Sequence, residues 1–464
     1  MRKITLLLGS IFLLLGACKG TKKITKTVVS DKPNIIIMLA DDLGWNDVGY
    51  HNDELITPHL DQLAAEGLQI NRFYTNKSCT PSRIGLLTGQ HPGRFGLGPD
   101  VGVIKPNWRN GVPVEVSMIP EMLAEAGYEN RACIGKWHLG HSNVKYHPLN
   151  RGFTYFYGLY GGMVGYFYHK RKSQLDWHRD FEPCHDKGYS TDLMGNEAVH
   201  FIEDQEKEKP FFLYVSFNAP HVPLEAKMEH LEMYGYDPAE GTYSHSNDEK
   251  VPNKILGRGN TARQTYTAMV TAMDEAIGRI LDAVERKEMS ENTLILFLSD
   301  HGATTKAGGN NEPLRAGKGY FYEGGVRVPA IIKWPKSLPQ GKTESTPISY
   351  TDVFATLQEI SKAPGKYETD GRSVLPILKG DIDSPERYIY LGREAIIKKE
   401  WKLVYDELYN INYDLSEEKN LAEEFPIIYT ELKTELDKLA AQIEKTVPIK
   451  EDHKVQPNWK MLEY

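Results

Sequence analysis

The chain has 464 residues, 40% of them hydrophobic and 25% charged, with a formal net charge of −8. That length is too great for one small core and suits a large domain with a smaller one. The acidic balance argues against a nucleic-acid binder, which would carry a basic face, but it leaves room for an anionic substrate in a local cationic pocket.

The first twenty residues, MRKITLLLGSIFLLLGACKG, have a basic start, an apolar run and small residues ahead of Cys18. The run is too short to span a bilayer and reads as a secretory signal over residues 1–18. Leu15-Gly16-Ala17-Cys18 resembles a bacterial lipobox. On that reading Cys18 is lipidated and anchors the mature protein to a membrane, in the periplasm or at the surface of a Gram-negative cell. Residues 19–31 then form a polar, basic tether. Cys79, Cys133 and Cys184 remain. An odd count leaves at least one thiol unpaired in an exported protein, so disulfides are not expected to hold this fold. Cys133 lies in an apolar run and reads as a buried small hydrophobe, whereas Cys184 falls in a loop.

Four later segments share one pattern. Asn34 to Ala40, NIIIMLA, is followed at once by Asp41 and Asp42. RACIG leads into Lys136, Trp137 and His138. FFLYVSF leads into Asn218, Pro220 and His221. TLILFLS is followed by Asp300 and His301. Runs apolar on both faces predict central strands of a mainly parallel sheet. Helical patterns lie between them, among them TPHLDQLAAEG, STDLMGNEAVHFIEDQ and the long run that begins at TARQTYTAM. The expected fold class is therefore α/β. In such a sheet ligands bind beyond the carboxyl ends of the strands. A single aspartate there can be a helix cap. Three carboxylates, three histidines and a lysine at one rim are better explained as a site. Asp41, Asp42 and Asp300 offer oxygen ligands suited to Ca²⁺ or Mg²⁺; the imidazole of His301 is softer and keeps zinc open. Calcium is the first expectation.

CTPSRIGLLTG, from Cys79 to Gly89, reads as a helix start. Thr80 is expected at the N-cap, Pro81 in the first turn and Gly89 at the stop. Cys79 would then stand just before a helix N-terminus, where free N–H groups and the dipole attract an anion. Arg83, about one turn on, can add a charge-assisted hydrogen bond.

With those residues in view, the sequence resembles the formylglycine-dependent sulfatases of the alkaline-phosphatase superfamily, the arylsulfatase B-like branch in particular. Cys79-Thr80-Pro81-Ser82-Arg83 with Leu87-Thr88-Gly89 matches the first signature, and GYENRACIGKWHLGH, Gly127 to His141, matches the second. FNAPHVPLEA, FLSDHG and NNEPLRAGKGYFYEGGVRVPAIIKWP come next in family order, so the resemblance runs over roughly residues 31 to 445. It implies that a separate maturation enzyme converts Cys79 to Cα-formylglycine, whose hydrated aldehyde is the nucleophile and can expel sulfate afterwards. It implies Asp41, Asp42, Asp300 and His301 as metal ligands, with the modified Cys79 as a further one. Most members carry asparagine where this chain has His301. Arg83 and Lys136 resemble the residues that hold the formylglycine and the sulfate, His138 the base, and His221 and Lys318 the sulfate binders near the leaving oxygen. Glu323-Gly324-Gly325 and Arg327 match a segment expected to be structural. A metal with one arginine and two lysines can stabilise charge building on sulfate oxygens in a shielded site.

The segment LNRGFTYFYGLYGGMVGYFYHKRKSQLDWHRD, Leu149 to Asp180, is aromatic and then basic. Tyr155, Phe156 and Tyr157 are expected in the core, and Tyr166 to Trp177 in a loop rimming the pocket. With Lys170, Arg171 and Lys172, that loop would suit a sulfated, acidic sugar chain. The expected partner is thus a sulfated polysaccharide or its oligosaccharides. Residues 32–365 are expected to form the catalytic domain. Residues 366–464 are expected to form a C-terminal subdomain of antiparallel sheet covered by a helix from about Pro426 to Lys445, apolar through Ile427, Leu432, Leu436, Leu439 and Ile443. Two alternatives stand: a phosphate or phosphonate ester hydrolase of the same superfamily, and a non-catalytic glycan-binding lipoprotein.

Overall fold

The computed structural model describes residues 31–96, 111–171, 173–244, 257–382 and 386–443. The leader, Cys18 and nearly all of the tether lie outside these residues, as do Lys172, the end of the last helix beyond Ile443 and the tail from Val447 to Tyr464. No helix among the described residues is long and apolar enough to cross a membrane.

A ten-stranded sheet forms the frame. In chain order its strands are β1 (Asn34–Ala40), β2 (Leu68–Ile70), β3 (Asn130–Lys136), β4 (Tyr155–Leu159), β5 (His178–Arg179), β6 (Glu182–Pro183), β7 (Phe211–Ser216), β8 (Thr293–Ser299), β9 (Ala330–Lys333) and β10 (Lys342–Glu344). Their spatial order is β10-β2-β9-β8-β1-β7-β3-β4-β5-β6. The strands β8, β1, β7, β3 and β4 run parallel, and antiparallel pairs appear only towards the edges. This is the mostly parallel sheet expected from the doubly apolar runs.

β1 shows why those runs read as they do. Ile35, Ile37 and Leu39 face α2 (Cys79–Thr88), α3 (Ile119–Glu125) and α6 (Asp352–Ser361). Ile36, Met38 and Ala40 face α1 (Pro58–Glu66), α4 (Ser190–Glu203) and α5 (Ala262–Arg286). Helices cover both faces, so every side chain of the strand is removed from water. Register then sets the level of the site. Leu39 pairs with Ser216, Ala40 with Ser299, and Ser216 with Gly135. Asp41, Asp300 and Lys136 therefore leave the sheet at one tier. Gly135 is required there: its φ is 104°, and a Cβ would lie 2.0 Å from the Ser216 carbonyl oxygen.

The C-terminal subdomain is a four-stranded antiparallel meander of β11 (Tyr388–Gly392), β12 (Ala395–Lys398), β13 (Trp401–Val404) and β14 (Glu407–Asn410). One face packs Ile396, Leu403 and Leu408 against Leu432, Leu436 and Ile443 of α7 (Pro426–Ile443). Ile427 departs from the expected apolar stripe and is 84% exposed. Ile428, four residues before Leu432, takes the inward position instead. The other face packs Ile389, Leu391, Ile397, Val404 and Tyr409 against Tyr74, Phe321 and Val326 of the large domain. Cys79, Cys133 and Cys184 are all free, and Cys133 is buried in the sheet as expected.

Burial also holds His147 neutral. Its Nδ1 accepts from the Leu149 N–H, while Nε2 lies 2.8 Å from the Tyr160 hydroxyl and 3.0 Å from the Asp180 carbonyl. Desolvation pushes it from 6.5 down to about 3. The unfolded chain therefore takes up this proton well before the folded one. The stability advantage of wild type over His147→Gln should be complete above the unfolded value and shrink as pH falls from 6.5 towards 3, by about 1.4 kcal/mol per pH unit. Urea melts of both proteins from pH 7 to 5 measure this; a constant difference would contradict it.

Candidate active site

Cys79 opens α2 as its first helical residue. Ser78, not Thr80, is the N-cap, with extended backbone at φ −158° and ψ 160°. The expected start at Pro81 is thus two residues late. Proline is tolerated anywhere in a first turn, so it does not fix the boundary, and the Ser82 N–H already bonds to the Ser78 carbonyl. The Thr80 hydroxyl instead donates to the His138 carbonyl at 3.3 Å, tying the two signature segments together. Gly89 ends the helix in the left-handed region at φ 69°, as expected.

The Cys79 thiol is only 2% exposed. Its Sγ lies 3.1 Å from His301 Nε2, 3.6 Å from Asp41 Oδ1 and 3.6 Å from Lys318 Nζ. Asp41, Cys79, Asp300 and His301 bring one ligand atom each within 4.8 Å of one another, and Asp41, Asp42, Cys79 and His221 do the same. His301 Nε2 links the two sets, at 3.2 Å from Asp42 Oδ1 and 3.3 Å from Asp300 Oδ1. His301 Nδ1 sits 2.9 Å from the Gly302 carbonyl and can only donate to it. That bond fixes the ring so that Nε2 faces the carboxylates, the usual arrangement of a metal-ligating imidazole.

The cations of the site mostly hold these carboxylates. Arg83 donates to Asp300 Oδ2 from Nη2 at 2.9 Å and Nε at 3.1 Å, to the Ser216 hydroxyl, and to the Lys136 carbonyl at 3.2 Å. Lys136 Nζ bonds to Asp41 Oδ2, and Lys318 Nζ to Asp42 Oδ1 at 2.6 Å. Arg83, Lys136 and Asp300 are fully enclosed. Burial opposes ionisation of Asp41, but Lys136, His221 and Arg83 outweigh it and hold the group well below the ordinary carboxylate range. Asp42 is likewise brought down to about 2 against its burial, chiefly by Lys318. Asp300 behaves differently. Burial, with Asp41 adding to it, pushes Asp300 up despite His301 and the doubly bonded Arg83. His301 is pushed up to about 9 against its burial, by Asp300 and Cys79.

His138 has φ 58°, an uncommon backbone for a non-glycine residue. Its N–H bonds to the Tyr160 carbonyl, and its ring abuts Gly162, where a Cβ would come within 2.8 Å. Its buried Nδ1 has no hydrogen-bond partner among the described residues. Burial, with Lys136 and Arg83 beside it, pushes His138 well below its ordinary value. His221 is lowered to about 4 by burial; its Nδ1 donates to the Val222 carbonyl at 2.6 Å, and its Nε2 lies 3.9 Å from Asp42 Oδ2. Asp41, Asp42, Cys79, Arg83, Lys136, His138, His221, Asp300, His301 and Lys318 thus converge at the carboxyl end of the sheet.

A family model described as Sulfatase matches residues 33–362. The chain belongs to the sulfatase family. Among curated relatives, arylsulfatase J of Mus musculus is 33% identical over 352 residues, covering 74% of this chain and 54% of its own length. N-acetylgalactosamine-6-sulfatase of Mus musculus is 33% identical over 387 residues, covering 78% of this chain and 69% of its own. This chain therefore spans about half to two thirds of these relatives. Among solved structures, Ps i-CgsB in complex with k-i-k-neocarrahexaose is 30% identical, with a TM-score of 0.76 and coverage of 92% of this chain and 94% of that one.

Several residues that shape this sulfatase site escape sequence reading. Ser216 holds Arg83, and Ser299 accepts the Leu43 N–H while its hydroxyl donates to the His301 carbonyl. Each closes an apolar run, FFLYVS or TLILFLS, and that final hydroxyl is the only signal the sequence offers. The Tyr266 hydroxyl donates to the Asp42 carbonyl at 2.8 Å and supports that residue at φ 67°; nothing in the sequence marks it out within a long helix. The loop expected to rim the pocket is core at its two ends and at His169, while Tyr168, Lys170 and Ser173 are exposed. Tyr166 and Trp177 are buried, and Trp177 stacks on His169 at 4.5 Å. The Tyr166 hydroxyl bonds to the Asn218 and His221 carbonyls at 2.6 and 2.8 Å, so it braces the His221 turn and is no platform for sugar. Phe156 and Tyr157 are buried as expected, whereas Tyr155 is half-buried.

The donor set fits a divalent cation. Three enclosed carboxylates gather around Cys79 and His301, and burial, with Asp41 adding to it, raises Asp300 despite the cations beside it. Adding Ca²⁺ should raise the Tm of the purified sulfatase and a chelator should reverse the shift; at a hundred times Kd the gain is about 2.7 kcal/mol. Asp42→Asn should weaken this response. An unchanged Tm in wild type across millimolar Ca²⁺, Mg²⁺ and Zn²⁺ would contradict the fit.

Proposed function

We propose that this protein hydrolyses sulfate monoesters on a sulfated polysaccharide or its oligosaccharides, through a formylglycine made from Cys79 by a maturation enzyme. The observation that carries the reading is the place of Cys79 Sγ, enclosed between Asp41, His301 and Lys318 at the carboxyl end of the sheet. A buried thiol needs no such company. A nucleophile that must meet an anionic ester beside a cation does. The names of the relatives, an N-acetylgalactosamine-6-sulfatase and an enzyme bound to k-i-k-neocarrahexaose, support a sulfated sugar as the substrate class. The lipobox at Cys18 supports export and membrane anchoring.

Asp41, Asp42, Asp300 and His301 would hold the cation. The predominance of carboxylate oxygen favours calcium. When present, the formylglycine and the cation supply the attacking hydroxyl and the charge that draws sulfate oxygens in. The other roles belong to the chain's own side chains. Arg83 and Lys136 bind the outward oxygens of Asp300 and Asp41 and so keep the ligand carboxylates aimed. His138 is neutral at physiological pH, with an unpartnered buried Nδ1, which suits a base that takes a proton from the residue at position 79. Lys318 is held protonated against its burial, chiefly by Asp42. His221 is neutral, and its Nδ1–H is committed to a carbonyl. Lys318 is therefore the group with a proton available for the departing alcohol.

Three results would support this reading. The tryptic peptide containing Cys79, from protein made alongside a maturation enzyme, should be lighter by the difference between a thiol carbon and an aldehyde; cysteine in every molecule would refute the mechanism. Matured protein should act faster on an aryl sulfate than on the matching aryl phosphate, and the reverse order would favour a phosphoester hydrolase. Lys318→Ala should lose ~100-fold or more on a sugar sulfate, whose alkoxide leaves poorly, and less on an activated aryl sulfate.

A further inference from the structure

Lys318 sits on a short turn with few supports of its own. Its N–H bonds to the Ala303 carbonyl at 3.2 Å, and the Gly319 N–H bonds to the Lys77 carbonyl at 2.8 Å. The residues just after the turn are held by the other subdomain. Phe321 is wholly buried in the core formed by β11–β14, and its N–H donates to the Tyr405 hydroxyl at 3.0 Å. The Glu323 N–H donates to Glu417 Oε2 at 2.6 Å. Lys402 Nζ lies 2.9 Å from both Glu323 Oε1 and Glu417 Oε1. Glu323 Oε2 accepts from the Tyr74 hydroxyl at 3.0 Å and faces Arg327 Nη1 at 3.4 Å. Ahead of the turn, Arg315 donates to the Tyr409 hydroxyl at 3.0 Å and to the Glu417 carbonyl at 2.7 Å. The side chains of Glu323, Lys402 and Glu417 are entirely enclosed.

The same subdomain grips the approach to Cys79. Asn76 Nδ2 donates to the Leu391 carbonyl at 3.2 Å. Lys402 occupies a strand position that faces the large domain beside Val404, where an apolar residue would pack at lower cost in desolvation. Burying an ion triad is weak support for stability, because removal of the charges from water offsets their attraction. Its benefit is geometric: charges at fixed separations admit only one seating of the two surfaces.

We propose that Lys402, Glu323 and Glu417 are positioning residues for catalysis: they seat the C-terminal subdomain so that it fixes the Lys318 turn against Cys79 and Asp42. The proposal rests on the sulfatase reading, in which Lys318 acts on the substrate. It gives the EGGVR segment, structural by its placement, a direct bearing on the reaction.

Glu417→Gln keeps a carbonyl for the Glu323 N–H and loses the charge facing Lys402. It should leave a cooperative thermal transition yet lower kcat/KM on an aryl sulfate by ~10- to 100-fold. In a Lys318→Ala background the same change should have little further effect. Backbone amide exchange should quicken in residues 317–321. Tyr405→Phe, which removes only the hydroxyl that accepts from Phe321, should show the same pattern more weakly and serves if Glu417→Gln fails to fold. A folded Glu417→Gln with wild-type kcat/KM and unchanged exchange in that turn would overturn the proposal, as would a loss just as large without Lys318. Matured wild type with no sulfate release from any ester would instead refute the sulfatase reading, and the exchange measurement still decides whether the network holds the turn.

Discussion

Asp41, Asp42 and Asp300 are buried at the end of one parallel sheet, close enough to repel, and the rest of the site is arranged around that repulsion. Strand register brings them together, because β1, β7 and β8 end at the same level. Arg83, Lys136, Lys318 and His301 then face them. Two of these cations, Arg83 and Lys136, bind the oxygens turned away from Cys79. Breaking a buried pair of this kind costs about 3–5 kcal/mol, since it strands the partner's charge. Arg83 and Lys136 are therefore as much part of the scaffold as of the chemistry. The matching Asp300 and Asp41 oxygens are spoken for, and the inward oxygens are left for a cation.

The second constraint is that several groups proposed to act on the substrate come from segments with little secondary structure of their own. His138 holds a left-handed backbone, Lys318 rides a turn, and His221 lies just past the end of β7. Each is braced by something distant in sequence. Tyr160 and Gly162 hold His138, Tyr166 holds the His221 turn, and the C-terminal subdomain holds Lys318. The aromatic segment after Arg151 thus serves the site from behind. Its exposed part includes Tyr168, which is 41% exposed, together with Lys170 and Ser173. The smaller subdomain is likewise more than an appendage, because its meander buries Phe321 and Tyr74, which flank Lys318 and Cys79 in the chain.

Much of this was legible in the sequence. Doubly apolar runs such as NIIIMLA have one stable setting, a strand covered on both faces, and polar residues that come after such strands must meet at the sheet's carboxyl edge. That logic places Asp41, Asp42, Lys136, His138, His221, Asp300 and His301 correctly without coordinates. Less legible was anything whose meaning lies in a partner. Pro81 suggested a helix start two residues late, because proline is permitted at several positions of a first turn. Ile427 looked apolar and useful but points to solvent, since a single turn's phase decides which of two adjacent isoleucines is inside. Tyr166 and Trp177 looked like a sugar-binding rim, because composition cannot say whether an aromatic ring meets water or another ring.

The sequence by itself determined the fold class, the edge at which the site forms and the strand-end side chains that would meet there, because those follow from periodicity and from chain direction; Lys318 was legible only through the family resemblance. The tertiary structure alone decided which oxygen of each carboxylate is held, which histidine nitrogen is free and which distant surface steadies Lys318. Those depend on distances of a few ångströms between segments far apart in the chain, such as Lys402 and Glu323 or Arg83 and Ser216, and no local pattern encodes them.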